Sequence, residues 1–166
     1  LAKISVRGIA PGTLFLETVF TLNSMAPKHL QLDKYLPLSP QRFVVDIDGR
    51  DLSEVLAYEK LNGLCSGIKR TLALPILKEV RGELPKLLEH AKARAEKQYP
   101  VLIAAARDQF SVDMDAEIHR LHSLQQKNPL IREEELEFLR NRKAEGLSYI
   151  DKTGLDLQAM RTIINT

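Results

Sequence analysis

Tryptophan is absent from this 166-residue chain, and five Phe and four Tyr are its only aromatics. The interior therefore has to be filled by Leu, Ile, Val and Ala rather than by stacked rings. A single cysteine, Cys65, allows no internal disulfide, which fits a reducing cytoplasm, and it lacks the partners of a zinc site. No run approaches 18 apolar residues, so no membrane-spanning helix is predicted, and the N-terminus does not read as a signal peptide. Neither charge sign dominates. The net charge is +2; residues 1–82 hold 11 Lys/Arg against 8 Asp/Glu, and residues 83–166 hold 13 against 14. With no basic arm and no acidic tail, electrostatics alone does not argue for nucleic-acid binding. The phosphate-cradling G-x-x-x-x-G-K-[ST] is missing, and so is a G-x-S-x-G elbow.

What remains is an ordinary globular mixture, 44% hydrophobic and 28% charged, of a length that predicts one domain. The first half reads as sheet. Ile4 and Val6 alternate before the turn residues Gly8, Pro11 and Gly12. From Thr13 to Met25, Leu14, Leu16, Phe20 and Leu22 share one face while Glu17, Thr21 and Asn23 share the other, predicting a strand with one buried side that Pro27 ends. Pro37 and Pro40 bracket a loop before the short strand Phe43–Ile47, and Asp48-Gly49 is a hairpin-turn signal. Residues 51–62 suit either a helix or a second hairpin strand, and 63–71 read as a loop.

The second half is helical. An apolar stripe runs from Leu84 through Leu88, Ala91, Ala95, Tyr99, Leu102, Ala106, Phe110, Met114 and Ile118 to Leu121, in steps of three and four. Pro85 suits a first turn, whereas Pro100 predicts a kink. Lys127-Asn128-Pro129 makes a tip, and a return helix over about 130–151 turns Leu136, Leu139, Leu147 and Ile150 inward. That helix is acidic early (Glu133, Glu134, Glu135, Glu137) and basic later (Arg140, Arg142, Lys143), which complements its dipole. Gly154 closes it, and 155–164 predicts a strand that rejoins the sheet. The expected fold is α+β: a mainly antiparallel sheet with a long antiparallel helical hairpin arm. The outgoing helix, about 43 residues, exceeds the return helix of about 22, so part of its stripe must bury on the sheet, another domain or a partner chain.

Chemistry-bearing residues are scattered. His119 and His122 stand at i and i+3, a metal-ligand spacing, but no cysteine is near, and Asp115 and Glu117 complete no recognised pattern. They read as solvated helix residues. Asp113-x-Asp115-x-Glu117 lacks the central glycine and final glutamate of a calcium loop. A nucleophilic Ser/His/Asp or Cys/His site is recognised by geometry rather than order, and no catalytic, cofactor or metal residue is predicted. Lys86, Lys92, Arg94 and Lys97 lie among Glu83, Glu89 and Glu96, the pattern of a wet face. Lys28, Lys34 and Arg42, with His29 and Tyr35 nearby, form the one candidate phosphate-contacting group.

Several blocks carry a resemblance. They are Arg7-Gly8-x-Ala10-Pro11-Gly12-Thr13 with Glu17-Thr18-Val19, then Ala26-Pro27-Lys28-His29-Leu30-Gln31-Leu32, Tyr35-Leu36-Pro37 and Pro40-x-Arg42. The arm tip adds Asn128-Pro129-x-Ile131-Arg132-x-Glu134-Glu135-Leu136, and the terminus Gly154-x-x-Leu157-x-Ala159-x-Arg161-x-Ile163. In this order they resemble the C-terminal region of the RapA family, bacterial RNA polymerase-associated ATPases of Swi/Snf type. Residues 55–82 match poorly, and Leu155 stands where the family has Trp.

The resemblance implies that residues 1–166 are a single C-terminal domain fragment of a larger cytoplasmic protein, sheet-rich over 1–62, with an arm at 84–151 and a return strand at 155–164. It implies a parent that is an ATP-dependent, DNA-acting, helicase-like hydrolase promoting RNA polymerase recycling in transcription. ATP would belong to the parent and no cofactor to this fragment. The expected role is a non-catalytic interaction or architectural domain. Its partners would be the upstream ATPase lobes and RNA polymerase, with DNA or RNA as a further candidate and no membrane.

Overall fold

A computed structural model describes residues 1–36 and 40–166. Its elements in order are β1 (Ala2–Ile4), β2 (Leu14–Asn23), β3 (Gln41–Asp46), α1 (Tyr58–Leu64), β4 (Ser66–Gly67), α2 (Arg70–Glu79), α3 (Leu84–Gln125), α4 (Glu133–Asp151) and β5 (Gly154–Asn165). This is α+β, as expected. The Pro40 end of the predicted loop is described; Pro37, which also belongs to the Tyr35-Leu36-Pro37 block, lies outside the described residues. The chain divides into two compact units: residues 1–21, 40–97 and 156–166 form the first, and 22–36 with 98–155 the described part of the second.

The first unit holds a five-stranded sheet in the order β3-β2-β5-β1-β4. β2 pairs antiparallel with β3 and β1 antiparallel with β4, but β1 runs parallel to β5, with Ala2 opposite Ile163. The sheet is therefore mixed. The predicted return strand enters its centre, its end fixed beside the start of β2 by N–H donation from Gly12 to the Asn165 carbonyl and from Asn165 to that of Thr13. Asn165 also acts through its side chain: Oδ1 accepts from the Val6 N–H at 2.9 Å and Nδ2 donates to the Ile9 carbonyl at 2.8 Å. A buried amide thus spends both its functions on the loop between β1 and β2.

β2 differs from the half-buried strand its alternation predicted. Leu14, Leu16 and Phe20 are buried, but so are Phe15, Glu17 and Thr18 on neighbouring positions. The second face is covered because residues 51–62 form neither a full strand nor a single helix. Asp51 makes one bridge to Val45, a turn follows, and α1 begins at Tyr58. Leu56 and Leu61 then pack with Ala2, Ile4, Phe15, Val44 and Ile163 in one cluster. The turn at Asp48-Gly49 forms as expected, with Gly49 at φ 77° and the Asp46 carboxylate accepting from Asp48 and Arg50 N–H. The predicted loop at 63–71 instead contains the end of α1, β4 and the start of α2.

In the second unit, residues 106–125 of α3 pair with α4. Arg107 bonds Asp151, Phe110 meets Gly146, Lys143 bonds Asp115 and Gln125 bonds Glu133. Partner numbers fall as α3 numbers rise, which defines an antiparallel hairpin. Its apolar seam is Ala106, Phe110, Met114 and Ile150, joined by Leu30, Leu32 and Leu36 from two 3₁₀ turns at Lys28–Leu30 and Leu32–Lys34. Gln31, at φ 53°, links those turns. α3 continues through Pro100. Pro100 and Glu96, whose carbonyl it frees, are both exposed, so water can replace the lost backbone bond.

Candidate functional site

One polar cluster of the first unit follows from sheet order. β2 lies between β3 and β5, and Glu17, Arg42 and Arg161 occupy the same sheet face on those three strands. Arg42 Nε donates to Glu17 Oε1 and Arg161 Nε to Glu17 Oε2, each at 2.6 Å. Arg42 Nη2 donates to the Leu56 carbonyl at 2.8 Å, and Arg161 Nη2 to Asn62 Oδ1 at 2.9 Å. One carboxylate thus serves two guanidinium groups. The Glu17 side chain is 8% exposed, that of Arg42 16% and that of Arg161 32%. Beside Glu17 and Arg161 is a notch of about 340 Å³, walled by Val19, Tyr58, Asn62, Ala159 and Met160.

The second unit carries its candidate surface at the hairpin tip. The Asn128 side chain accepts from the Leu130 N–H at 3.1 Å, which turns the chain between the helices. Glu135 reaches back to accept from the Arg132 N–H at 3.3 Å. That is the half of a capping box available here, since the Arg132 guanidinium can only donate. Leu130 is 84% exposed and Phe138 62%. Phe138, Leu121 and Leu139 line a groove of about 580 Å³ with Glu117, Arg132, Glu134 and Glu135. A hydrogen bond from Arg120 holds the Glu117 carboxyl below its usual range, and hydrogen bonds from Gln125 and Arg140 do the same for Glu133.

The predicted phosphate-contacting residues divide between the units. Lys28 and Lys34 are exposed in the second, Lys34 Nζ donating to Gln31 Oε1 at 2.5 Å. Arg42 belongs to the first, its guanidinium held by Glu17 and Leu56. His119 and His122 are exposed. Nearby carboxylates are engaged, Asp115 with Lys143 at 2.6 Å and Glu117 with Arg120 at 2.6 Å. Among the described residues no three His, Cys, Asp or Glu side chains gather as a metal site. Burial pushes the Cys65 thiol pKa up, which disfavours the reactive thiolate. Arg94, read as part of a wet face, is exposed, and it also donates to the Gly49 carbonyl at 2.9 Å. No helix among the described residues is long and apolar enough to cross a membrane.

Sequence reasoning missed the Glu17 cluster because it assigned Glu17 to a solvated face. The available signal was Phe15 and Val19 on the same parity as Glu17, since apolar neighbours two residues away on both sides imply a covered face.

Comparison with known proteins adds the lineage. Residues 1–165 match the family model described as RNA polymerase recycling family C-terminal. The chain is 33% identical over 164 residues to the RNA polymerase-associated protein RapA of Pseudomonas fluorescens (strain Pf0-1), covering 99% of this chain and 17% of that protein. It is 34% identical over 164 residues to the protein of that name in Pseudomonas aeruginosa (strain LESB58), with the same two coverages. To that of Sodalis glossinidius (strain morsitans) it is 32% identical over 166 residues, all of this chain and 17% of the relative. The chain thus spans about a sixth of the length of these relatives.

Proposed function

The chain belongs to the RNA polymerase recycling family, in its C-terminal region, and from that premise we propose that it is a non-catalytic interaction domain. In this reading it docks an ATP-driven polymerase-recycling protein, acting in the cytoplasm, onto RNA polymerase or onto that protein's own ATPase lobes. The observation that carries the reading is the tip of the α3–α4 hairpin. Leu130 and Phe138 stand exposed there, Phe138 lining a groove, and large exposed apolar groups rimmed by charge suit macromolecular docking. The polar clusters are built otherwise. Beside His119 and His122, Asp115 is held by Lys143 and Glu117 by Arg120, and Glu17 has both oxygens engaged by arginine. Carboxylates engaged in this way serve structure rather than general-base chemistry. The test is gel filtration of the purified chain with core RNA polymerase, alongside an ATP turnover assay. Co-elution without turnover is expected; ATP hydrolysis by this chain would refute the reading.

A second reading, nucleic-acid contact through Lys28, Lys34 and Arg42, is favoured by the exposure of the two lysines and opposed by the engagement of Arg42 with Glu17. It predicts DNA affinity that falls steeply with salt and weakens in Lys28→Ala and Lys34→Ala. Salt-insensitive binding would dispose of it.

A further inference from the structure

The Glu17 cluster holds more positive charge than its own acid can balance. Two guanidinium groups share one carboxylate, and both carboxylate oxygens are already occupied at 2.6 Å. The surplus has one accessible outlet. Arg42 is the more enclosed of the two arginines and has a backbone carbonyl as a further partner, while Arg161 lines the notch. A guanidinium carries five N–H groups in a planar fork. Arg161 spends one on Glu17 and one on Asn62, which leaves three without a partner among the described residues. Asn62 is fixed by the same contact: its oxygen accepts from Arg161, so its NH₂ is left as a donor. The walls therefore offer donors and surplus positive charge, and their one acid is spent.

The rim points to the kind of ligand. Val19, Met160 and the ring of Tyr58 form an apolar collar, and about 340 Å³ is far more room than a lone carboxylate fills. We propose that this notch is a carboxylate-binding site that receives an Asp or Glu side chain, flanked by an apolar residue, from a partner protein. Arg161 would grip the carboxylate through its free N–H groups, Asn62 would donate alongside, and Met160 and Tyr58 would cover the neighbouring apolar side chain. Charge complementarity selects an acidic peptide over a neutral one. A nucleic-acid backbone fits poorly, because affinity for it comes from several spaced cations, and the lining supplies one arginine beside a glutamate.

The test is an amide and side-chain NMR titration of the 166-residue chain with the capped peptide Ac-Leu-Asp-Leu-NH₂. The neutral Ac-Leu-Asn-Leu-NH₂ and the oligonucleotide (dT)₁₀ serve as parallel arms. The acidic peptide should give saturable shifts confined to the Asn62 side-chain NH₂, Arg161 Nε–H and backbone amides 159–161. The neutral peptide should bind at least about tenfold more weakly, the difference expected for one charged hydrogen-bonded contact. Arg161→Gln should lose the response while its spectrum stays dispersed. Asn62→Ala, on the exposed side of α1, should weaken it severalfold without touching Glu17. Equal response to both peptides, survival of the response in Arg161→Gln, response to (dT)₁₀ alone or no response at all would each overturn the proposal. None of these readouts uses RNA polymerase, so the outcome is separate from that of the docking reading.

Discussion

Replacing Gly146 by alanine is the sharpest perturbation of the helical hairpin. A Cβ built on Gly146 would lie 2.2 Å from Phe110 Cζ and 2.5 Å from Cε1, where carbon atoms in contact normally keep about 3.5–4.0 Å. The ring has little room to retreat. Phe110 is buried, and its other side meets Tyr35 edge-on, centroids 5.1 Å apart and planes at 85°. Overpacking of this sort costs typically 1–3 kcal/mol, and an overlap this deep belongs at the upper end, about 3 kcal/mol. Alanine regains about 1 kcal/mol over glycine inside a helix, which leaves a net loss of about 2 kcal/mol. For a chain of this size that lowers Tm by roughly 4–8 °C. Thermal melts followed by circular dichroism read the loss, and a cycle with Phe110→Leu assigns its cause. With the ring gone, Gly146→Ala should cost nothing or stabilise, a coupling of about 2 kcal/mol. If Gly146→Ala instead raises stability, as at an open helix position, or if the two changes are additive, α3 and α4 do not approach as described.

Further expectations follow from the same geometry. Glu17→Gln leaves two guanidinium groups facing each other and should cost about 3 kcal/mol in urea denaturation, against about 1 kcal/mol for the more exposed Arg161→Gln; equal costs would refute the bridging role. Gly49→Ala combines a positive φ of 77° with a Cβ 2.9 Å from His90 Nδ1, and should destabilise by about 1–2 kcal/mol, read as a lower urea midpoint. The Glu117 and Glu133 carboxyls titrate below their ordinary value because Arg120, Gln125 and Arg140 bond the charged forms. Their contribution is thus complete above an unfolded-state pKa of about 4.3 and lost as pH falls through the lower folded values. Melts of Arg120→Ala should therefore differ from wild type at pH 7 and converge with it at acid pH. A gap that persists there would contradict the assignment.

Which parts of this fold could be read from the chain depended on how local their determinants are. The helical hairpin is a matter of periodicity: Leu136 and Ile150 lie on the predicted inner face and are fully buried. The Asp48-Gly49 turn needs only a residue tolerant of positive φ. The parallel pairing of β1 with β5 joins residues some 160 positions apart, and no local pattern encodes it. Leu87, on α3, is fully buried yet fell outside the predicted stripe, which stepped from Leu84 to Leu88. The α2 helix went unread because Pro75 lies inside it and the preceding Gly-Ser material reads as loop. The Glu17 cluster was hidden for a related reason, since a charged residue on a strand signals solvent only while nothing covers that face. Here α1 does, and the arginines of β3 and β5 make the burial tolerable. Lys28 and Lys34 stay on the surface, as their chemistry suggests, but Arg42 is drawn into the sheet by an acid 25 residues away.

The docking role of the hairpin tip is the claim on which the functional account rests. It is tested most directly by the dissociation constant of the purified chain for core RNA polymerase, measured by biolayer interferometry for wild type, Leu130→Ala and Phe138→Ala. Both side chains are exposed, so their removal should leave Tm unchanged. The wild type should bind, and binding should weaken at least about tenfold on losing Phe138, the behaviour of an aromatic anchor. Binding that is indifferent to both substitutions, or absent from the wild type, would contradict the docking role.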